Sequence, residues 1–507
     1  MKKRILALLL LLSLLFTACA APAQPTTPTV CTAHTDADDN GVCDICLSYV
    51  LVVVDFYNIN DLHGKIDDTD KQPGVDELTT YFKRMQKSDE HAILLSTGDM
   101  WQGSSESNLT AGNLATDWMN ELGFAAMALG NHEFDWGEAP IEGNDAIAQF
   151  PFLAINVYDR ETDQRVSYCD ASTVVEVGGL QIGIIGAIGD CYSSISADKT
   201  EGVYFLTGEK LTGLVMAESR KLRSEGVDFI VYILHDGLGE SRSTNATNVS
   251  NREIASYYDI ALSNGYVDLV FEGHTHQQYI LKDSYGVYHM QNRGENQGIS
   301  HAEVMINTVT GTVRMRQANL ISADYYGALE SDPLVDELLQ KYDEQIAISR
   351  EVLGTNAYIR RSNAIKQLVA KLYYETGMKR WGSDYNIVLG GGFMSVRSPY
   401  DLAAGDVTYG QLQMLLPFDN QIVLCSIKGR DLKSKFFETN NSNYYISYGA
   451  YGTSVRQNID PDATYYIVTD TYTSQYASNR LTEVARFDET TFARDLLAEY
   501  VKAGGLK

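Results

Sequence analysis

The sequence predicts an α/β protein of two unequal domains. Short, wholly apolar runs of strand length recur along the first three fifths of the chain and stop abruptly at Gly and polar residues. Between them lie stretches with apolar residues at helical spacing, such as Leu211 to Glu225 and Leu334 to Arg350. The chain has 507 residues, more than one compact core holds. Hydrophobic residues are 44% and charged residues 21%, the composition of a folded globular body.

Each run ends in polar residues that carry the chemical information. Leu51 to Val54 leads to Asp61 and His63, and Ala92 to Leu95 leads to Gly98-Asp99. Ala126 to Leu129 leads to Gly130-Asn131-His132-Glu133. Phe229 to Leu234 runs into His235, and Val267 to Phe271 into Gly273-His274-Thr275-His276. Apolar runs bounded this way read as buried strands, and ligands gather where strands pass into loops. All these polar residues are therefore expected on one rim of a β-core. Asp61 and His63 are two apart, as are His274 and His276, so on extended backbone each pair points the same way. Asp99 stands alone, as a carboxylate bridging two ions would. Oxygen and imidazole donors without thiolate suit Zn, Mn, Fe or Co. Two such ions side by side clamp the attacking and leaving oxygens of a phosphoester.

D-x-H, G-D, G-N-H-E and G-H-x-H in this order resemble the calcineurin-like metallophosphoesterase superfamily. Gly130 to Asp135, with the large C-terminal region, resembles its 5′-nucleotidase family. The resemblance implies a four-layer αββα metallophosphatase domain over residues 48–325, a helical linker over 326–354 and a smaller α/β substrate domain over 355–507. It implies that Asp61, His63 and His276 hold one divalent metal, that Asn131, His235 and His274 hold a second, and that Asp99 bridges them. His132, paired with Asp135, assists catalysis, and Glu133 is structural. The expected reaction is hydrolysis of nucleotides, with nucleoside 5′-monophosphates first. A 2′,3′-cyclic nucleotide phosphodiesterase/3′-nucleotidase, a UDP-sugar hydrolase, and an inactive surface-binding lipoprotein are the alternatives.

The C-terminal motifs carry the substrate side of this resemblance. Gly390-Gly391-Gly392 leads to Arg397, at the place of a substrate arginine, and the glycines are expected to let backbone approach a ligand closely, with a plain strand-to-loop turn as the alternative. Pro417-Phe418-Asp419-Asn420 and Asp470-Thr471-Tyr472-Thr473 supply Phe418 and Tyr472 as a clamp for a base, since aromatic rings stack on any nucleobase. Elsewhere Val174 to Ile188 reads as a hairpin turning at Gly178-Gly179, residues 238–254 as a polar loop, and Leu334 to Arg350 as one inter-domain helix.

Met1-Lys2-Lys3-Arg4, the apolar Ile5 to Phe16 and Thr17-Ala18-Cys19 read as a lipoprotein signal peptide over residues 1–19. Cys19 is then the lipidated residue, residues 20–30 are a Pro/Thr-rich spacer, and the protein is expected on the outer face of a bacterial cell membrane; ordinary secretion with cleavage nearby is the alternative. Residues 31–47 form a small module in which Cys31-x-x-His34 and Cys43-x-x-Cys46 have the spacing of a zinc knuckle. A disulfide-stapled loop is a second reading. The acidic run from Asp36 to Asp44 offers a Ca²⁺ loop as a third, although Leu47 stands where the distal glutamate belongs. Cys169, Cys191 and Cys425 are expected as buried thiols. A formal charge of −26 argues against binding nucleic-acid polymers. The expected partners are a small phosphate ester and the membrane.

Overall fold

A computed structural model describes residues 31, 33–66, 74–237, 259–392, 401–434, 445–447, 458–476, 480–487 and 491–507. Cys19, Arg397 and the whole of the expected 238–254 loop lie outside these residues. The chain divides into two compact units, residues 1–53 with 305–314, and residues 54–304 with 315–507. Among the described residues no helix is long and apolar enough to cross a membrane.

The strands in chain order are β1 (Leu51–Ile59), β2 (Ala92–Ser96), β3 (Ala126–Ala128), β4 (Phe152–Leu153), β5 (Val157–Asp159), β6 (Ser172–Val177) and β7 (Leu180–Ile188). Then come β8 (Val203–Phe205), β9 (Phe229–His235), β10 (Leu269–Glu272), β11 (Tyr279–Lys282), β12 (Tyr288–Gln291), β13 (Gly298–Asn307) and β14 (Val313–Ser322). Two six-stranded sheets result, with orders β14-β13-β1-β2-β3-β4 and β11-β12-β10-β9-β7-β6. β3 and β4 pack against β7, and β3 also against β9, so the sheets meet face to face. This buries β9 along its whole length and explains why its sequence is an unbroken apolar run. Helices Val75–Ser88 and Asn113–Leu122 bury Phe82 and Trp118 completely in the core beside β1 and β2.

Strand direction assembles the rim. β1, β2, β3 and β4 are mutually parallel, as are β7, β9, β10 and β12. Parallel strands present their C-terminal ends at one edge, where open α/β sheets bind ligands. The hairpin of β6 and β7 turns at Gly178 and Gly179, both with positive φ (58° and 80°).

The C-terminal region contributes β15 (Val352–Asn356), β16 (Ile387–Gly392), β17 (Gly405–Thr408), β18 (Ile422–Lys428), β19 (Tyr445–Ser447), β20 (Thr464–Asp470) and β21 (Leu481–Arg486). Its five-stranded sheet has the order β19-β16-β20-β18-β21, and helix Ser362–Trp381 packs on β16. Two expectations change here. The stretch from Leu334 to Arg350 is not one helix: it breaks into Leu334–Lys341, Asp343–Ile346 and a 3-10 turn at Ala347–Arg350. The break falls at Tyr342, which is buried and whose hydroxyl donates to Asp117 at 2.6 Å, so a tertiary anchor overrides the periodicity. Gly390 to Gly392 form the end of strand β16, not a turn. A Cβ on Gly390 would stand 2.3 Å from the Tyr374 backbone nitrogen and 2.7 Å from the Ala370 carbonyl. That glycine therefore serves helix–strand packing.

Candidate metal and substrate site

The five motifs converge. The ligand atoms of Asp61, His63 and His276 lie within 4.8 Å of one another, and so do those of Asp61, Asp99 and His235. His63 Nε2 is 3.2 Å from His276 Nε2, and His276 Nε2 is 3.3 Å from Asp61 Oδ1. His235 Nε2 is 3.1 Å from Asp99 Oδ2 and 3.2 Å from Asn131 Oδ1, and Asn131 Oδ1 is 2.9 Å from His274 Nδ1. All seven side chains named from the sequence as metal ligands are thus in one cluster.

The backbone that places them differs from expectation. Asp61, His63, His274 and His276 are not extended but left-handed, with φ of 52°, 52°, 69° and 52°, and Asp99 joins them at 56°. Residues two apart share a direction because tight turns, not strands, carry them. Crossed backbone bonds hold these turns: Asp61 N–H donates to the Gly98 carbonyl (2.9 Å) and His63 N–H to that of Asp99 (3.0 Å). His274 N–H donates to Asp61 Oδ2 (2.9 Å). Gly130 must be glycine, since a Cβ there would meet Asp99 Oδ1 at 2.3 Å.

Glu133, fully buried, ties two of the loops together. Its carboxylate accepts from the N–H groups of Asp99 (2.8 Å), Met100 (2.8 Å) and Gly130 (2.7 Å). Sequence reasoning saw this residue as structural but had no means of finding its three partners.

The outer contacts orient the rings. His63 Nδ1 faces the Gln102 carbonyl at 2.8 Å and His235 Nδ1 that of Thr97 at 2.6 Å. A carbonyl accepts, so each Nδ1 carries hydrogen and each Nε2 turns a lone pair inward. Neutral His235 then aims a lone pair at two oxygen acceptors, Asp99 Oδ2 and Asn131 Oδ1. Such an array requires positive charge at its centre. Burial works to remove the His235 proton, but the Asp99 and Asp61 carboxylates outweigh it and push the imidazole up to about 10. Burial, then the charge of His235, pushes His274 down to about 4. A divalent cation supplies the same positive charge, and the oxygen and nitrogen donors fit one.

His132 sits apart in its bonding. Its Nδ1 is 2.7 Å from Asp135 Oδ2, and its backbone N–H donates to Asp99 Oδ1 at 2.8 Å. It is also within 4.8 Å of the His63 and Asp99 ligand atoms. Cys191 lies beneath the cluster, but its thiol donates to the His235 carbonyl at 2.9 Å and burial raises it well above the usual thiol range, so it stays protonated.

Beside the cluster opens a cleft of about 270 Å³. Asn131, His132, Asp135 and His274 line it together with Phe418, Asp419, Asn420 and Tyr472. The Phe418 ring lies over His132, with centroids 5.9 Å apart and planes inclined by 29°. Thr471 N–H donates to the Gln421 carbonyl (2.9 Å), linking the Phe418 loop to the helix of Tyr472, while Asp419 pairs with Arg494. Gln475 holds this region to the loop after β7, accepting from Ala197 N–H (2.6 Å) and donating to the Ile195 carbonyl (3.0 Å). That loop adds Ser194, Ser196 and Lys199 to the cleft. Sequence reasoning missed all three, because no local motif marks them.

The comparisons agree with this architecture. The family described as calcineurin-like phosphoesterase matches residues 55–278, and the one described as 5′-nucleotidase, C-terminal domain, matches residues 345–483. An apyrase of Tabanus yao is 27% identical over 440 residues, covering 78% of this chain and 74% of that one. Endonuclease YhcR of Bacillus subtilis (strain 168) is 24% identical over 497 residues, covering 88% of this chain but only 39% of its own length. The crystal structure of a 5′-nucleotidase precursor from Thermus thermophilus superposes with a TM-score of 0.67 at 20% identity, covering 89% of this chain and 96% of that one. Fold and site together define a metal-dependent phosphoesterase. The chain belongs to the calcineurin-like phosphoesterases that carry a 5′-nucleotidase C-terminal domain.

Proposed function

We propose that the protein hydrolyses nucleotides, with nucleoside 5′-monophosphates as its substrates. The observation that carries this reading is the cleft lined by Phe418 and Tyr472 together with His132, Asn131 and His274. An aromatic pair suits a flat heterocycle, and the polar residues suit a phosphoryl group. The match of residues 345–483 to the family described as 5′-nucleotidase, C-terminal domain, supports the class without selecting a member.

Asp61, His63, His276 and Asp99 would hold one divalent ion, and Asn131, His235, His274 and Asp99 a second. When bound, the pair supplies charge neutralisation at the phosphoryl group and activates the attacking water. His132, steadied by Asp135, lies where an imidazolium can stabilise phosphoryl oxygen charge or protonate the leaving oxygen. Lys199 is the one Lys or Arg among the described lining residues and adds local positive charge to an acidic protein. Phe418 and Tyr472 orient the base, and Arg397 would contact the substrate from the segment after Gly392.

A panel over AMP, 3′-AMP, 2′,3′-cyclic AMP, ATP and UDP-glucose, read by phosphate release and by chromatography of the nucleotide products, with metal analysis of the same preparation, tests the reading. AMP should be cleaved with the highest kcat/KM. Preference for the cyclic nucleotide or UDP-glucose selects one of the alternative activities, and no release from any of them with both metals bound removes the nucleotidase reading. The lipoprotein pattern ending at Cys19 supports a location on the outer face of the cell membrane.

A further inference from the structure

Cys31, His34, Cys43 and Cys46 belong to the smaller compact unit, residues 1–53 with 305–314. Their ligand atoms all lie within 4.8 Å of one another. Cys31 Sγ is 3.8 Å from Cys43 Sγ, and Cys46 Sγ is 3.4 Å from His34 Nδ1. All three cysteines are free thiols. These distances have a metric meaning. With Zn–S near ~2.3 Å and Zn–N near ~2.05 Å, a tetrahedron has edges of about 3.8 Å between sulfurs and about 3.5 Å between sulfur and nitrogen.

The surroundings point the same way. Cys43 and Cys46 flank a tight turn in which Leu47 N–H donates to the Cys43 carbonyl (2.9 Å) and Cys43 N–H to that of Ser48 (2.8 Å). Leu47 closes the turn with left-handed backbone, φ 60°.

The segment also lacks the means to fold on apolar burial. Ile45, Leu47 and Tyr49 are 58%, 76% and 84% exposed, and Cys43 is the only buried hydrophobic side chain among the described residues from 31 to 49. A segment of this size without a core needs a covalent or metal staple.

The acidic run does not compete for a cation. Asp36 accepts from the N–H groups of Asn40 (3.0 Å) and Gly41 (2.9 Å) and from Asn307 Nδ2 (2.6 Å). Asp39 accepts from Asn307 Nδ2 (2.9 Å) and from the Thr310 hydroxyl (3.0 Å). These two carboxylates are engaged with protein donors, which disfavours the Ca²⁺ loop reading. They fasten residues 36–39 to the turn at 307–310.

We propose that Cys31, His34, Cys43 and Cys46 bind one structural zinc ion, separate from the phosphoesterase metals, which orders residues 31–49 and sets Asp36 and Asp39 against the 307–310 turn. The test uses the full chain, purified without reductant, stripped of metal and titrated with Cd²⁺ while thiolate-to-metal charge-transfer absorption is followed. The band should plateau within three equivalents at the amplitude of one Cd²⁺ held by three thiolates, and fall to background in the Cys31→Ser/Cys46→Ser variant, whose phosphate-release rate should stay within about twofold of wild type. His34→Cys should keep the band with a fourth thiolate, and this conservative variant carries the test if the double variant does not fold. Alkylation of chelated, unreduced protein should modify all three module cysteines. A pair that resists alkylation until reductant is added, or a wild-type titration without a thiolate band, overturns the zinc site.

Discussion

Five of the cluster's side chains stand on left-handed backbone, Asp61, His63, Asp99, His274 and His276. Each such non-glycine position costs on the order of 1–3 kcal/mol and persists only where neighbours over-determine it. The crossed N–H bonds among these loops, and the Glu133 carboxylate that receives three more, supply that constraint. The donor types were legible in the motifs. Their conformation was not, because nothing in D-x-H or H-x-H distinguishes a strand end from a tight turn. The proposed division of labour among the histidines is open to measurement. His132→Ala should lower kcat by about 10²–10⁴-fold while metal content stays at the wild-type value. Loss of an ion from this variant would make His132 a ligand, a role its closeness to His63 and Asp99 permits geometrically.

At the scale of elements, strands were easier to read than helices. The apolar runs became β1, β2, β3, β9 and β10 because both faces of such strands are covered, which leaves period-free hydrophobic sequence. The amphipathic stretch from Leu334 to Arg350 gave no warning of its break, because the cause is Asp117, more than two hundred residues earlier in the chain. The glycines of β16 teach the same lesson, since a helix backbone, not a ligand, crowds Gly390. Gly390→Ala should therefore destabilise the fold by about 1–3 kcal/mol. A denaturant melt should show this as a lower midpoint, with KM for nucleotide unchanged in the folded enzyme. An unaltered melt with a raised KM would return this glycine to the substrate site.

At the scale of the molecule, the cleft joins two regions of the chain that sequence separates by nearly three hundred residues, from His132 to Phe418. Phe418→Ala should raise KM for AMP by about tenfold or more, since a base stack contributes roughly 1–3 kcal/mol. Hydrolysis of a simple aryl phosphate should change little, because that substrate reaches the metals without a clamp. Equal losses on both substrates would show that Phe418 acts by packing on His132 rather than by holding a base. Cys19→Ala tests the proposed anchor: the protein should leave the membrane fraction. Persistent membrane association would require another tether.

Sequence alone determined the donor chemistry and its order, since a divalent-metal site of this class needs His, Asp and Asn whatever backbone presents them, and short motifs preserve that demand. It also determined the α/β class, because strand and helix burial leave different periodicities. Only the tertiary structure decided which turns carry the ligands, what Glu133 and Gly390 are for, and that Ser194, Ser196 and Lys199 line one cleft with Phe418 and Tyr472. Those facts depend on contacts between segments remote in sequence, and pairwise approach across a fold leaves no mark in the local order of residues.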